Sequence, residues 1–387
     1  MEVIVPTEAK FCCDADGRVR PCQPVHTTEF WERYLDVFDE VIFTGRIIDQ
    51  GSKTLPAINN SKLRFEDISL SGCLSALLRP VVRLRRLLAG KPRAAVCLRM
   101  PTVASAIAGL ECVLRGRPFG VEVVGDPFTA LQQQGGGLGL EAARWFLCLA
   151  QRYLCRKAVA TAYVTEHVLQ KIYPPGHGKF TTSFSTITLS DCNFRKRPCV
   201  RQQSATLINV GSMGKTLYKG QDVLIEAVGR LGQEIPNLKL LLVGDGESRN
   251  QLEQLVEKRR LGDRVVFCGH VTDRSKLESL LDEADLFAFP SRTEGLPKAL
   301  IEAMARGLPA VGTRAGGIVE LLPQSQLCEV GDIPGLAQLI RELFRDRKKL
   351  LANGMQNYEK AKEFELSHIV GRRRTYYGKV QEAAVKR

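Results

Sequence analysis

From Ala205 onward, apolar runs of strand length alternate with longer amphipathic stretches. The apolar runs are Ala205–Gly211, Leu238–Gly244, Arg264–Gly269, Leu286–Phe289 and Pro309–Gly312. Between them, Gln221–Leu231, Glu247–Arg260, Asp273–Glu283 and Leu300–Arg306 carry apolar residues at helical spacing. A further helix is predicted over Pro334–Leu351, where a proline suits the first turn because that N–H needs no intrahelical partner. Alternation of this kind predicts βαβ units and a doubly wound, parallel α/β sheet. The first half repeats the pattern less regularly. Met1–Val5, Glu40–Thr44, Ala94–Leu98, Gly120–Val124 and Ala160–Thr165 read as strands. Thr27–Val37, Leu74–Leu88, Val103–Leu114, Glu141–Arg156 and Glu166–Ile172 read as helices. Ser190–Cys199 is polar, basic and proline-bearing, as a linker would be. The chain of 387 residues is long enough for two domains, each with its own core, predicted as 1–197 and 198–364.

Charge changes this picture more than composition does. The net charge is +13, and residues 51–100 hold 10 Lys/Arg against 2 Asp/Glu. Such a bias fits an anionic partner, either a membrane surface or a lipid phosphate, or else a merely solvated basic face. Nucleic acid is not expected, because no recognised motif or aromatic platform accompanies the charge. Leu74–Leu88 mixes leucines with Arg79, Arg83, Arg85 and Arg86. Two readings stand: a helix docking peripherally on anionic lipid, or a surface helix whose apolar face is core. No run of 18 apolar residues occurs, and Met1–Pro6 reads as a first strand and not a signal peptide, so a cytoplasmic protein is expected. The twelve cysteines are irregularly spaced, with no C-x-x-C pair, and the five histidines are scattered. Reduced thiols and no metal site follow. Asp14-Ala-Asp16 spells a metal-binding pair but lies in a cysteine-bearing loop that does not support it.

The densest chemistry lies in Ser291–Pro309, where Glu294 and Glu302 stand eight residues apart. With a helix starting near Gly295, both carboxylates would face one crevice about 12 Å apart. That crevice would lie beyond the C-terminal end of a parallel strand, where open α/β sheets bind ligands. Two carboxylates there can grip the hydroxyls of a sugar nucleotide at two points. The plain alternative is a solvated helix with surface glutamates.

The surrounding pieces resemble the E-x7-E glycosyltransferases of retaining family 4. They occur in the family's order: Asn209–Gly211, Tyr218–Ala227, Leu242–Gly246, Val265–Val271, the segment at Glu294 and Glu302, and Gly312–Glu320. The resemblance covers about Thr206 to Val380. It implies a GT-B fold of two Rossmann-like domains facing across a cleft, with the final helix, about 365–387, packing back on the N-terminal domain. It implies transfer of a sugar, with retention, from a UDP- or GDP-linked donor to a lipid-linked or saccharide hydroxyl acceptor, without metal. The setting implied is surface polysaccharide or glycolipid assembly.

The same resemblance assigns roles. Lys219 contacts the donor diphosphate, Glu294 the donor sugar near the reacting centre, and Glu302 the ribose. Gly316 and Gly317 lie near the diphosphate. Gly295, Leu296 and Lys298 offer backbone amides, Gly211 lets the backbone approach, and Gly269, His270 and Val271 lie near the base. Ser212 stands where the family often has arginine, so Lys215 or Arg314 is a candidate replacement. A family histidine of the N-terminal domain is absent, and Asp126, after Val123-Val-Gly, is the candidate substitute or else part of a turn. Gln132–Gly139 is a candidate mobile loop beside it. Two rival functions remain: a sugar-nucleotide epimerase of the same fold, and a non-catalytic sugar-nucleotide or membrane-binding module.

Overall fold

The computed structural model describes residues 1–14, 16–23, 25–48, 55–69, 78–128, 138–187, 189–197 and 205–386, without the side chains of residues 78, 79 and 138. Gln132–Gly137 and the start of the predicted Leu74–Leu88 helix lie outside the described residues. Two compact units form. The first comprises Met1–Pro127, Glu141–Phe184 and Val370–Arg387, and the second Phe128–Leu140 and Ser185–Ile369. The boundary near Ser185 precedes the junction expected at 197, because the predicted linker is bound into the second unit. Asn193 donates to Glu278 over 3.0 Å, and the Arg197 guanidinium donates to Ala284 O over 2.6 Å.

In the first unit the strands are β1 (Glu2–Val5), β2 (Lys10–Cys13), β3 (Val19–Pro21), β4 (Glu40–Ile47), β5 (Leu63–Asp67), β6 (Ala95–Met100), β7 (Gly120–Val123), β8 (Ala160–Tyr163) and β9 (Phe180–Ser183). They form one sheet in the order β3-β2-β4-β1-β6-β7-β8-β9, with β5 also on β4. Only β2 and β3 pair antiparallel among the described strands. Residues of β6, β7 and β8 are buried throughout, as expected for strands covered on both faces. The sequence pattern missed β2, β3, β5 and β9, which are three to five residues long and carry no continuous apolar run of more than three residues.

The Val370–Arg387 segment completes this unit's core. Tyr376 and Tyr377 are fully buried, and the Tyr377 ring lies 4.8 Å from that of Tyr34. Gly120 makes room for the helix, since a Cβ there would lie 2.6 Å from the Tyr376 hydroxyl. Tyr377 also donates to Glu122, over 3.1 Å. Glu122 is buried on β7 and accepts from Arg33 over 2.8 Å and from Arg99 over 2.9 Å. Burial alone would raise its pKa, but the two guanidinium groups outweigh it and hold the carboxyl below its usual range.

The second unit contains β10 (Ala205–Val210), β11 (Leu238–Val243), β12 (Val265–Gly269), β13 (Leu286–Phe289), β14 (Ala310–Thr313) and β15 (Leu327–Cys328). Their order, β12-β11-β10-β13-β14-β15, is all parallel. Counted within the unit it is 3-2-1-4-5-6, the doubly wound arrangement, with its switch point between β10 and β13. Leu207, Leu240, Leu242, Leu224, Val228, Leu336 and Ile340 fill the core with no exposed surface. The helices Gln221–Leu231 and Leu286–Phe289 strand match the sequence pattern residue for residue. Pro334–Leu351 is not one helix. Ile333–Arg345 ends at Asp346, whose side chain caps a second helix, Arg347–Ala361, by accepting from Lys349 N over 3.0 Å.

Candidate functional site

The loops after β10, β13 and β14 meet at the switch point, and each element delivers one part of the site. After β10 the chain runs through Gly211 and Ser212 to Lys219, just ahead of the Gln221–Leu231 helix. After β13 come Ser291 to Glu294, and after β14 come Gly316 and Gly317. Backbone groups sew the loops together. Arg292 N donates to Tyr218 O over 2.7 Å, and Gly317 N donates to Gly295 O over 2.8 Å. Two glycines permit the closest approach. A Cβ on Gly316, whose φ is +48°, would lie 1.8 Å from Glu294 O, and one on Gly317 would lie 2.3 Å from Gly295 O.

At the centre, Lys219 Nζ donates to Glu294 Oε1 over 2.6 Å. Ser291 Oγ donates to the same oxygen over 2.7 Å. The ammonium also lies 5.1 Å from the ring centroids of both Tyr218 and Phe289, a favourable position for a cation. The lysine and glutamate side chains retain 15% and 9% of their surface, so the pair is largely shielded from water. Ser212 Oγ and Tyr218 OH are 2.9 Å apart. Arg292 fixes the loop from outside, with a bidentate pair to Asp222 at 2.8 and 2.7 Å and a bond to Leu217 O at 2.6 Å.

Glu294 lies ahead of the helix, in the loop after β13. The helix is Lys298–Ala305, because Gly295 and Pro297 extend the turn. Glu302 alone projects from it. Burial raises the pKa of Glu302, with Arg274 and Lys298 opposing that shift and Glu278 adding to it. Gly269 closes β12, at the edge of the sheet, His270 and Val271 follow it, and His270 is exposed. Lys215 is exposed on the loop after β10. Arg314 pairs with Glu329 over 2.9 Å, which directs its charge toward the segment after β15.

The remaining candidates lie in the first unit. Asp126 follows β7, and its carboxylate accepts from the Tyr173 hydroxyl, whose pKa is raised by burial and then by that bond. Arg83 donates to Asp67 O over 2.6 Å, and Arg85 to Glu111 over 2.8 Å. Arg86 is exposed, and the side chain of Arg79 lies outside the described residues. Leu84 and Leu88 are buried, and Leu84 packs with Ile68 and Ala104. Leu84 and Leu88 thus belong to the core, as in the second of the two readings for that helix, while Val82, Arg83, Arg85 and Arg86 remain exposed. Among the described residues no group of His, Cys, Asp and Glu gathers as metal ligands, and no helix is long and apolar enough to cross a membrane.

Sequence reasoning passed over Ser291, Arg292 and Asp222. Ser291 and Arg292 lie inside the E-x7-E segment, but only the fold shows that they fasten Glu294 and the Lys219 loop.

Known proteins agree with this architecture. Residues 193–362 match the family described as glycosyl transferases group 1. The chain is 29% identical over 351 residues to protein CapJ of Staphylococcus aureus, covering 88% of this chain and 86% of that one. It is 34% identical over 187 residues to N-acetyl-alpha-D-glucosaminyl L-malate synthase of Bacillus anthracis, 47% of this chain and 48% of that protein. Among solved structures, sucrose-phosphate synthase of Thermosynechococcus elongatus superposes with a TM-score of 0.72 at 17% identity, over 99% of this chain and all of that one. Anabaena Alr3699/HepE, in complex with UDP-glucose, gives 0.69 at 18% identity over the whole of both chains. Residues 193–362 are therefore a group 1 glycosyltransferase domain, and the chain as a whole has the GT-B fold of its structural neighbours.

Proposed function

We propose that this glycosyltransferase binds a nucleoside-diphosphate sugar on its second unit and transfers the sugar, with retention, to a hydroxyl of a saccharide or lipid-linked acceptor. One observation carries the reading: Lys219 and Glu294 are held together at the switch point, against a glycine pair that leaves their loops without side-chain bulk. A cation, a carboxylate and backbone amides within one crevice suit a donor that is a diphosphate at one end and a polyol at the other.

Each group has a task in this reading. The Lys219 ammonium neutralises the charge that grows on the diphosphate as the C1–O bond breaks. Glu294 holds sugar hydroxyls beside C1, while Ser291 keeps one of its oxygens oriented. Glu302 accepts from the ribose hydroxyls in charge-assisted bonds. The acceptor oxygen bonds to C1 on the face the diphosphate leaves, and a departing phosphate oxygen takes its proton. Before the donor enters, Glu294 occupies Lys219, so binding exchanges one anionic partner of the lysine for another. A uridine base is supported by the UDP-glucose complex of the Anabaena relative in fold.

The test is nucleoside diphosphate release from UDP-, GDP- and ADP-sugars, with and without saccharide and lipid-extract acceptors. The expected result is release from one donor, raised by an acceptor and lost in Lys219→Ala and Glu294→Gln. Conversion of donor to an epimer without acceptor would assign the rival isomerase. Donor binding without turnover under any acceptor would assign a binding module.

A further inference from the structure

One helix of the first unit turns large apolar side chains toward solvent. In Leu138–Lys157 the inner face is ordinary core, with Leu147, Ala150, Leu154 and Cys155 buried. The outer face carries Trp145 at 58% exposure, Leu149 at 62% and Tyr153 at 41%, spaced i, i+4, i+8, with Phe146 at 43% beside them. Ile172, at 39%, adjoins this face, because the Arg152 guanidinium donates to its carbonyl over 3.1 Å. A cluster of exposed Trp, Phe, Leu and Tyr on one face is not the ordinary scatter of single surface hydrophobes.

Cations dominate the C-terminal part of this face, while Glu141, paired with Arg144, stands one turn before Trp145 at its N-terminal end. Arg152, Arg156, Lys157 and Lys171 are exposed, and between Glu141 and Glu166 the chain contains no acidic residue. Lys157 lies 5.8 Å from the Tyr153 ring centroid, so cation and aromatic edge are presented together. We propose that this face docks the protein on an anionic lipid bilayer, with Trp145, Phe146 and Leu149 entering the headgroup boundary and the arginines and lysines lying on lipid phosphates. Trp and Tyr favour that boundary because an apolar ring and a polar edge are satisfied at once, and each juxtamembrane cation adds attraction to an anionic leaflet.

This inference stands apart from the catalytic reading, and its test uses no turnover. The full chain is incubated with vesicles of phosphatidylcholine alone and of phosphatidylcholine mixed with phosphatidylglycerol, and binding is read by co-sedimentation and by tryptophan emission. The chain has two tryptophans, and Trp31 is fully buried, so a vesicle-induced blue shift reports Trp145. Binding to the anionic vesicles is expected, falling with added salt. Leu149→Glu is expected to weaken it about tenfold or more, by loss of one buried leucine. The double variant Arg156→Glu/Lys157→Glu is expected to weaken it about tenfold or more and to flatten its salt dependence. Both replace exposed residues, and matched thermal transitions check that they fold. Absence of wild-type binding to anionic vesicles, or variants that bind as wild type, would overturn the proposal. So would a concentration-dependent dimer in sedimentation velocity that Leu149→Glu disperses, since the face would then belong to a second copy.

Discussion

Lys219 Nζ lies 2.6 Å from Glu294 Oε1, and Ser291 Oγ lies 2.7 Å from that same oxygen. The lysine assigned to the diphosphate is thus already paired with the carboxylate assigned to the sugar. Glu294→Gln removes this competition. It is expected to abolish most turnover while leaving the affinity for the nucleoside diphosphate alone unchanged or higher. Lys219→Ala is expected to lower both, with kcat reduced about 10²–10³-fold, the usual loss when one donor to a developing anion is removed. Calorimetric titration with UDP separates the two variants. A fall in UDP affinity in Glu294→Gln would contradict the exchange of partners proposed for Lys219.

Gly316 fixes the distance between the loops after β13 and β14. Gly316→Ala adds a Cβ 1.8 Å from Glu294 O and demands a positive φ from an alanine. The backbone conformation alone costs about 1–2 kcal/mol, and the carbonyl must also move. The expected result is a lower melting temperature together with a raised donor KM, because the carbonyl that moves belongs to Glu294. A variant that melts lower but keeps the wild-type KM would show that the glycine serves only the fold.

Glu302 gives the site a pH signature. Burial raises its pKa, so the folded state holds this proton more tightly than the unfolded chain does. Stability therefore falls as pH rises from the unfolded carboxyl value through the folded one, and above that range the buried carboxylate is a net cost. Glu302→Gln is expected to raise the melting temperature at pH 7, with the gain vanishing below about pH 4, where both states are protonated. Donor KM is expected to rise in the same variant, since a neutral amide binds ribose hydroxyls less strongly than a carboxylate. Melting curves across pH, beside donor kinetics at pH 7, read both effects.

Glu122 is expected to be critical to the first unit. Glu122→Gln leaves Arg33 and Arg99 buried without their anion, and breaking a buried pair of this kind costs about 3–5 kcal/mol. Chemical denaturation is expected to show earlier unfolding of the first unit and an unchanged transition for the second. Simultaneous loss of both transitions would mean that the units do not unfold independently.

Much of this molecule was legible in its sequence, and what escaped had a physical reason. The second unit could be read because its strands, such as Leu238–Val243, are almost wholly apolar and lie between amphipathic helices. The first unit blurred where strands are half-exposed: Leu63–Asp67 alternates burial and carries charge, so no apolar run marks it. The E-x7-E segment pointed to Glu294 and Glu302, but their supports could not be found from spacing. Arg292 and Asp222 lie 70 positions apart and meet only because β10 and β13 are neighbours. The basic Leu78–Gly90 helix left two readings open, because spacing alone does not say which leucines meet the core. Leu84 and Leu88 do, while large apolar side chains, Trp145 and Leu149, turn outward on another helix.

The segment that brings Tyr376 and Tyr377 to the first unit follows the second unit in the chain. During synthesis, Tyr34 and Glu122 leave the ribosome long before the aromatic rings that cover them exist. The first unit must therefore wait, incompletely sealed, while the second is made and folds. Its final closure waits for residues made after the second unit, and a nascent chain stalled within Ser185–Ile369 would present an exposed aromatic seam to chaperones and proteases.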